Sequence, residues 1–447
     1  MRSRLFAVAC ALSMFGAGLV ASAQPAHAVT IERVVSPGGI EAWLVREQAV
    51  PLVAMSFAFE GGSSQDPAEK AGLGTLTAGL LDEGAGDLDS GAFQQRLADN
   101  AIELRFSSTR DYLMGSIRVL SDRREAGIDL LRMALNQPRF DTTAIERVRG
   151  QMVANLRSQS TDPNHVANVA WSRAAFPDHP YGRPTNGTFE SVPKITADDI
   201  KDFHRRVLAR DNLKVVVVGD IDAKTLGAML DLVFGGLPEK AQLEPVPDVT
   251  VQGLGRRVVV DLDVPQSVMI LGGHGPKRHD PAFIPAFVAN HILGGGSFSS
   301  RLYQEIRERR GLTYGIYSYL HPLDHAALFV VSTQTQNERA GEALTLVEAE
   351  IARLADKGPT AQELREAKDY LKGSFALRFD TSTRIAAQLL AFQLQGLGID
   401  YINRRNELIE AVTIDEARRA AKLLAPDGML VTVVGRPKGI QAREIAN

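Results

Sequence analysis

The stretch Leu293-Gly-Gly-Gly-Ser-Phe-Ser-Ser-Arg-Leu-Tyr-Gln-Glu-Ile-Arg-Glu-Arg-Arg-Gly-Leu-Thr-Tyr-Gly-Ile-Tyr-Ser318 sets the reading of this chain. Three glycines and nearby serines open it as a loop whose backbone N–H groups can be approached closely. A helical run follows, with Leu302, Ile306 and Tyr303 on one face and Gln304, Glu305, Arg307, Glu308 and Arg309 largely elsewhere. Arg310-Gly311 is its stop, a cation and then glycine at a helix C-terminus. From residue 313 to 319 the sequence alternates and is rich in β-branched and aromatic residues, which predicts a strand.

Outward from this stretch, helices and strands alternate along the whole chain. Strands are expected within 31–45, at 53–59, 102–106 and 112–119, and helices at 71–81, 90–100, 123–134 and 143–159. Another helix starts at Thr196, and Leu213-Lys-Val-Val-Val-Val-Gly219 reads as a buried strand. The second half repeats the pattern. Asp427-Gly-Met-Leu-Val-Thr-Val-Val-Gly435 matches Asp211-Asn-Leu-Lys-Val-Val-Val-Val-Gly219 from 216 residues earlier, and Val264-Pro265 follows Val50-Pro51 by 214. Near-constant offsets point to two structurally equivalent halves. Residues 236–255, with Pro238, Pro245 and Pro247, are the expected linker. The division that follows is residues 29–235, the linker, and residues 256–447.

Residues 1–28 read as a secretory signal peptide: Arg2 and Arg4, an apolar run to Ala23, and two small-residue cleavage sites, Ala21-Ser22-Ala23 and Ala26-His27-Ala28. Cys10, the only cysteine, lies inside it, so the mature chain would hold no thiol and no disulfide, which suits an oxidising compartment. About 420 remaining residues exceed what one core normally supports. A net charge of −3 gives no reason to invoke nucleic acid or an anionic membrane surface.

The stretch from Leu293 to Ser318 resembles the C-terminal-half signature of the pitrilysin/insulinase-type (inverzincin) zinc peptidases, which include mitochondrial processing peptidases and bacterial two-subunit enzymes. Phe176-Pro-Asp-His-Pro-Tyr-Gly-Arg-Pro-Thr-Asn-Gly187 is another family-like segment. The resemblance implies an α+β fold of two homologous halves, each a mainly antiparallel sheet backed by helices, and two such chains enclosing a chamber. It also implies that an arginine and a tyrosine seven residues apart, here Arg307 and Tyr314, help hold a peptide substrate, with Gly294, Gly295, Gly296 and Ser297 beside it.

Active members of that family carry an inverted motif, His-x-x-Glu-His, on a first-half helix, and a glutamate ligand on a later one. Two imidazoles and a carboxylate hold zinc while the glutamate between the histidines takes a proton from metal-bound water. Here Ala71-Gly72-Leu73 matches the entry to the motif and Gly84 its exit, but Thr75, Ala78 and Gly79 occupy the motif positions. Asn155, 76 residues past Gly79, takes the place of the distal glutamate. No Thr/Ala/Gly/Asn set binds zinc or activates its water at neutral pH. His321 and His325 have helical spacing, but Pro322 stands between them. His179 and His204 read as local capping or hydrogen-bonding groups. Ser297, Ser299 and Ser300 lack a nucleophile elbow, and residues 294–296 lack the spacing of a phosphate loop.

The resemblance therefore implies a periplasmic, non-catalytic subunit with no metal or cofactor of its own. Zinc would belong to a homologous partner chain, and Arg307 and Tyr314 would complete that partner's site on a peptide or unfolded protein. The alternative is a proteolytically inert peptide-binding or scaffold protein. Residues 329–332 read either as a core strand or as an edge strand companion to the glycine segment.

Overall fold

The structure, a computed structural model, describes residues 30–425 and 428–443; the signal-peptide reading of residues 1–28 lies outside them. The first part of the chain runs β1 (Glu32–Val35), β2 (Glu41–Arg46), β3 (Leu52–Glu60), α1 (Leu73–Ala78), α2 (Ser90–Asp99), β4 (Glu103–Ser108), β5 (Tyr112–Leu120), α3 (Arg124–Asn136), α4 (Thr142–Gln159), α5 (Pro163–Ala175), α6 (Ala197–Val207), β6 (Leu213–Gly219) and α7 (Ala223–Phe234). The second runs β7 (Arg257–Val260), β8 (Gln266–His274), α8 (Phe283–Asn290), β9 (Thr313–Pro322), β10 (Ala327–Gln336), α9 (Ala340–Lys357), α10 (Ala361–Gly373), α11 (Ser382–Leu394), α12 (Tyr401–Ala411), α13 (Ile414–Leu423) and β11 (Leu430–Val434).

The strands form two sheets, ordered β1-β2-β6-β3-β5-β4 and β7-β11-β8-β10-β9. Apart from β1 the two orders superpose strand for strand. Each sheet has a single parallel pair, β2 with β6 and β7 with β11, and is otherwise antiparallel. The fold is α+β in two homologous halves. Local chemistry repeats as well. Thr196 and Thr413 each cap a helix with a hydroxyl that accepts an N–H three residues on, and Asp199 and Glu416 close the reciprocal bond.

The repeated strand β6 is buried at Leu213 and from Val215 to Gly219. A strand with one solvated face would alternate; this one is covered on both faces. On one side Val215 and Val217 join the core of the first half. On the other, Val216 and Val218 pack with Trp43 and Val45 against Ile385, Ala386, Leu389 and Leu390 of α11, a helix of the second half. The second sheet is covered reciprocally. Ala167, Trp171 and Ala175 of α5 pack on Val268, Ile270 and Leu430, and Trp171 Nε1 donates to Leu430 O at 3.2 Å. Each half thus lends a helix to the other's sheet. The extended segment between α7 and β7 is tied to both halves: Gln65 exchanges two hydrogen bonds with Glu244, and Val249 N donates to His325 O.

One local expectation is corrected and one open alternative is resolved. The helix expected over 71–81 is helical only from Leu73 to Ala78, entered through Gly72 at φ +97°. Of the two readings of residues 329–332 the core strand holds: they lie in β10, between β8 and β9, and the edges of that sheet are β7 and β9.

Candidate functional site

Helix α1 carries two of the four substituted zinc positions, Thr75 and Ala78, and Gly79, its C-cap, is a third. Its N-terminus is fixed by buried Asp66, which accepts from Gly72 N and Gly74 N, both at 2.8 Å. Burial pushes that carboxyl up to about 7 against the pull of those bonds. The segment from Phe176 to Gly187 braces the same helix through Thr185, whose carbonyl accepts from Thr75 Oγ1 at 2.8 Å, and Ser191 just beyond it donates from Oγ to Ala71 O.

The residues present do not fit a zinc ion. Thr75 spends its hydroxyl proton on Thr185, and Ala78 is buried with nothing to donate. A Cβ on Gly79 would stand 3.3 Å from Val148 Cγ1 of α4, so the space facing α4 is filled by an apolar side chain. Asn155 is exposed and accepts from Gln151 Nε2 at 3.0 Å. Nearby Glu83 is held by Arg147 and Ser90. Among the described residues no group of three or more His, Cys, Asp or Glu side chains converges enough to hold a metal ion. His179 Nδ1 accepts from Tyr181 N and its Nε2 bonds Pro247 O, while His204 Nε2 bonds Leu135 O. Purified chain is expected to carry less than one equivalent of zinc, and a chelator to leave its melting temperature unchanged. A chelator-induced drop in melting temperature would overturn this reading of the four positions.

The second half presents the other group of residues. Tyr303 and Ile306 are buried on the inner face of the helical turn Tyr303–Glu308, which leaves Arg307 on its rim. The Arg307 guanidinium lies 4.8 Å from the centre of the Tyr303 ring and 5.6 Å from that of Tyr314, between the two rings. Its Nη1 also pairs with Glu308 at 2.6 Å. Tyr314, 83% exposed, stands on edge strand β9.

A break in register brings Tyr314 to that face. The β9–β10 pairing shifts between Thr333 and Thr335, and threonines hold the distortion: Thr313 Oγ1 donates to Gln334 O and Thr333 Oγ1 to Gly315 O. On a regular strand Tyr314 and Tyr317 would face opposite ways. Here Tyr314, Tyr317, Tyr319 and His321 are all exposed while Ile316 and Ser318 are buried. Tyr317 and Tyr319 stack with ring centres 6.3 Å apart. Tyr317 and Tyr319 were legible only as alternation; nothing local to the sequence announced the bulge.

The glycine segment differs from expectation. It is not a loop: His291–Gly295 continues α8 as a π-helical turn, and Gly296 N donates to His291 O at 2.8 Å. A Cβ on Gly294 would come 2.5 Å from Ser318 Oγ, so this glycine lets the turn pack against β9. Gly296 is buried against His291, whereas Gly295 and Ser297 are exposed, Ser297 at φ +48°.

The two halves meet around a cavity of about 280 Å³. Thr185 and Asn186, which buttress α1 and α4, line it from the first half, and Tyr319 and His321 of β9 line it from the second. Although part of the His321 side chain reaches solvent, its ring faces the cavity wall, and desolvation there, with the Arg110 charge second, holds it below its ordinary value.

Fold and site define a chain built like a two-sheet zinc peptidase but lacking that enzyme's metal donors. Comparison with known proteins agrees. Residues 44–189 match the family described as insulinase (peptidase family M16), and residues 194–371 match the peptidase M16 inactive domain. The chain belongs to the pitrilysin/insulinase (M16) peptidase family. It is 29% identical over 372 residues, 82% of this chain and 85% of the other, to the non-peptidase homolog YmxG of Helicobacter pylori. It is 26% identical, over 93% of this chain and 92% of the other, to an uncharacterized zinc protease of Streptomyces coelicolor. A crystal structure of a peptidase M16 inactive domain from Pseudomonas fluorescens superposes with a TM-score of 0.85 at 28% identity, covering 92% of this chain and 99% of that one.

Proposed function

We propose that this chain is the non-catalytic subunit of a two-chain zinc peptidase of the periplasm. It binds a peptide beside β9 and presents Arg307 and Tyr314 to the active site of a homologous partner that carries His-x-x-Glu-His and the zinc. The observation that carries the proposal is the pairing of an exposed tyrosine with a guanidinium held between two rings, in a chain whose own metal positions hold Thr75, Ala78, Gly79 and Asn155. A guanidinium and a phenol can each donate to a peptide carbonyl, and to the oxyanion that forms when water attacks it. Among the described residues β9 is a terminal strand of its sheet, paired with β10, and a peptide would add beside it on the side away from Ser318, whose carbonyl accepts from Asn290 Nδ2. The periplasmic address rests on the signal-peptide reading of residues 1–28.

The Arg307–Glu308 ion pair favours a second reading, an inert peptide-binding chain, because it already satisfies part of the guanidinium. Mixing separates the two. Peptide cleavage is expected only when the mature chain is combined with its His-x-x-Glu-His homologue from the same organism, with zinc found in that homologue. Absence of a complex and of any gain in cleavage would favour the inert binder. Cleavage and stoichiometric zinc in this chain alone would overturn both.

A further inference from the structure

A second cavity, of about 540 Å³, lies in the second half between α8, α10, α11, α12 and β9. Three arginines line it, Arg278, Arg378 and Arg405, and no aspartate or glutamate does. Arg405 is only 5% exposed. Its Nη1 donates to Leu371 O and Asn406 Oδ1, both at 3.1 Å, and its guanidinium lies 4.2 Å from the centre of the Phe375 ring. No bond is made by its Nε or Nη2 within the described residues. Among the described residues the hydrogen bonds of Arg278 go to neutral groups, Gln395 Oε1 and the Tyr401 hydroxyl, each at 2.8 Å. The Arg378 side chain has no hydrogen bond or ion pair among the described residues.

Buried cations are normally matched by a carboxylate, because leaving water costs several kcal/mol per ion. Here burial, together with the charges of Arg378 and Arg278, holds Arg405 down at about 10. An anion entering the cavity would relieve that arrangement. The rest of the wall is apolar and aromatic, including Phe283, Phe287, Phe375, Phe392 and Tyr370. A free phosphate would leave that surface unused. The volume suits one or two residues of a peptide. Tyr319 lines this cavity as well as the one between the halves, so the pocket adjoins the strand on which a peptide is placed above.

We propose that this pocket binds the free α-carboxylate of a peptide ending in an apolar or aromatic residue, with Arg278, Arg378 and Arg405 meeting the carboxylate and the phenylalanines the side chain. The proposal deepens the peptide-binding reading and rests on it. The test uses the mature chain alone and a fluorescent hexapeptide ending in phenylalanine, as the free acid and as the C-terminal amide, followed by anisotropy. The acid is expected to bind about 10- to 100-fold more tightly than the amide, the range of one or two charge-assisted bonds. Arg378→Gln, at an exposed side chain with no hydrogen bond or ion pair among the described residues, should shrink that ratio severalfold, and Arg405→Gln should abolish it. Equal binding of acid and amide, no binding of the acid, or an unchanged ratio in Arg378→Gln would each overturn the proposal. Because this assay needs neither partner nor zinc, its failure beside intact turnover by the mixed complex would leave the subunit reading standing. An acid preference without any turnover would do the reverse.

Discussion

Trp171→Ala is expected to destabilise the whole chain by about 3–5 kcal/mol, the range for removing a buried aromatic. Trp171 is 5% exposed and belongs to α5 of the first half, yet it packs on the second sheet. Its indole takes the space a side chain at position 272 would need, since a Cβ on Gly272 would come 2.3 Å from Trp171 Cζ2. The truncation removes that contact, the edge-on packing against Phe176 at 6.2 Å, and the donor to Leu430 O. Gly272→Ala should destabilise as well, by overpacking the same place. Because α11 makes the reciprocal crossing, the loss should appear as one cooperative transition at lower denaturant. Two separated transitions, with the first half unfolding at its wild-type midpoint, would show that the halves fold independently and would sink the interlocked account.

That interlock also marks where the sequence stops being readable. The run Val215-Val-Val-Val218 says that both faces of β6 are buried, because a half-exposed strand would alternate. It cannot say that the second layer is α11, some 170 residues away in the chain. The repeat was legible because a strand's pattern is local: the runs ending at Gly219 and Gly435 announce the same buried strand twice, and the matching caps at Thr196 and Thr413 came only with the structure. The glycine segment misled for a physical reason. Glycine serves equally for exposed backbone and for close packing, and only the placement of Ser318 shows that Gly294 does the second. Tyr317, Tyr319 and His321 could not be joined to Tyr314 from spacing, since the shift opposite Thr333 and Thr335 is a property of the pairing, not of the strand.

Arg307→Ala is expected to lower kcat/KM of the mixed peptidase by about a hundredfold, the scale for losing one donor to an oxyanion. Assembly and stability should hold, because the described bonds of the guanidinium are confined to Glu308 and the faces of two rings on its own half. Tyr314→Phe is the sharper variant. It keeps the ring beside the guanidinium and deletes only the hydroxyl, so a fall in kcat at unchanged KM would place that oxygen on the reacting carbonyl. If Tyr314→Phe behaves as wild type while Tyr314→Ala and Arg307→Ala both fail, the ring serves only to position Arg307. Arg307→Lys should restore little, since an ammonium is a point charge without the planar fork that lies between two rings. Glu308→Gln provides the counter-test: it frees Nη1 and should leave turnover equal or raised. Wild-type turnover in both Arg307→Ala and Tyr314→Phe would remove the pair from catalysis and leave β9 as a surface that only binds.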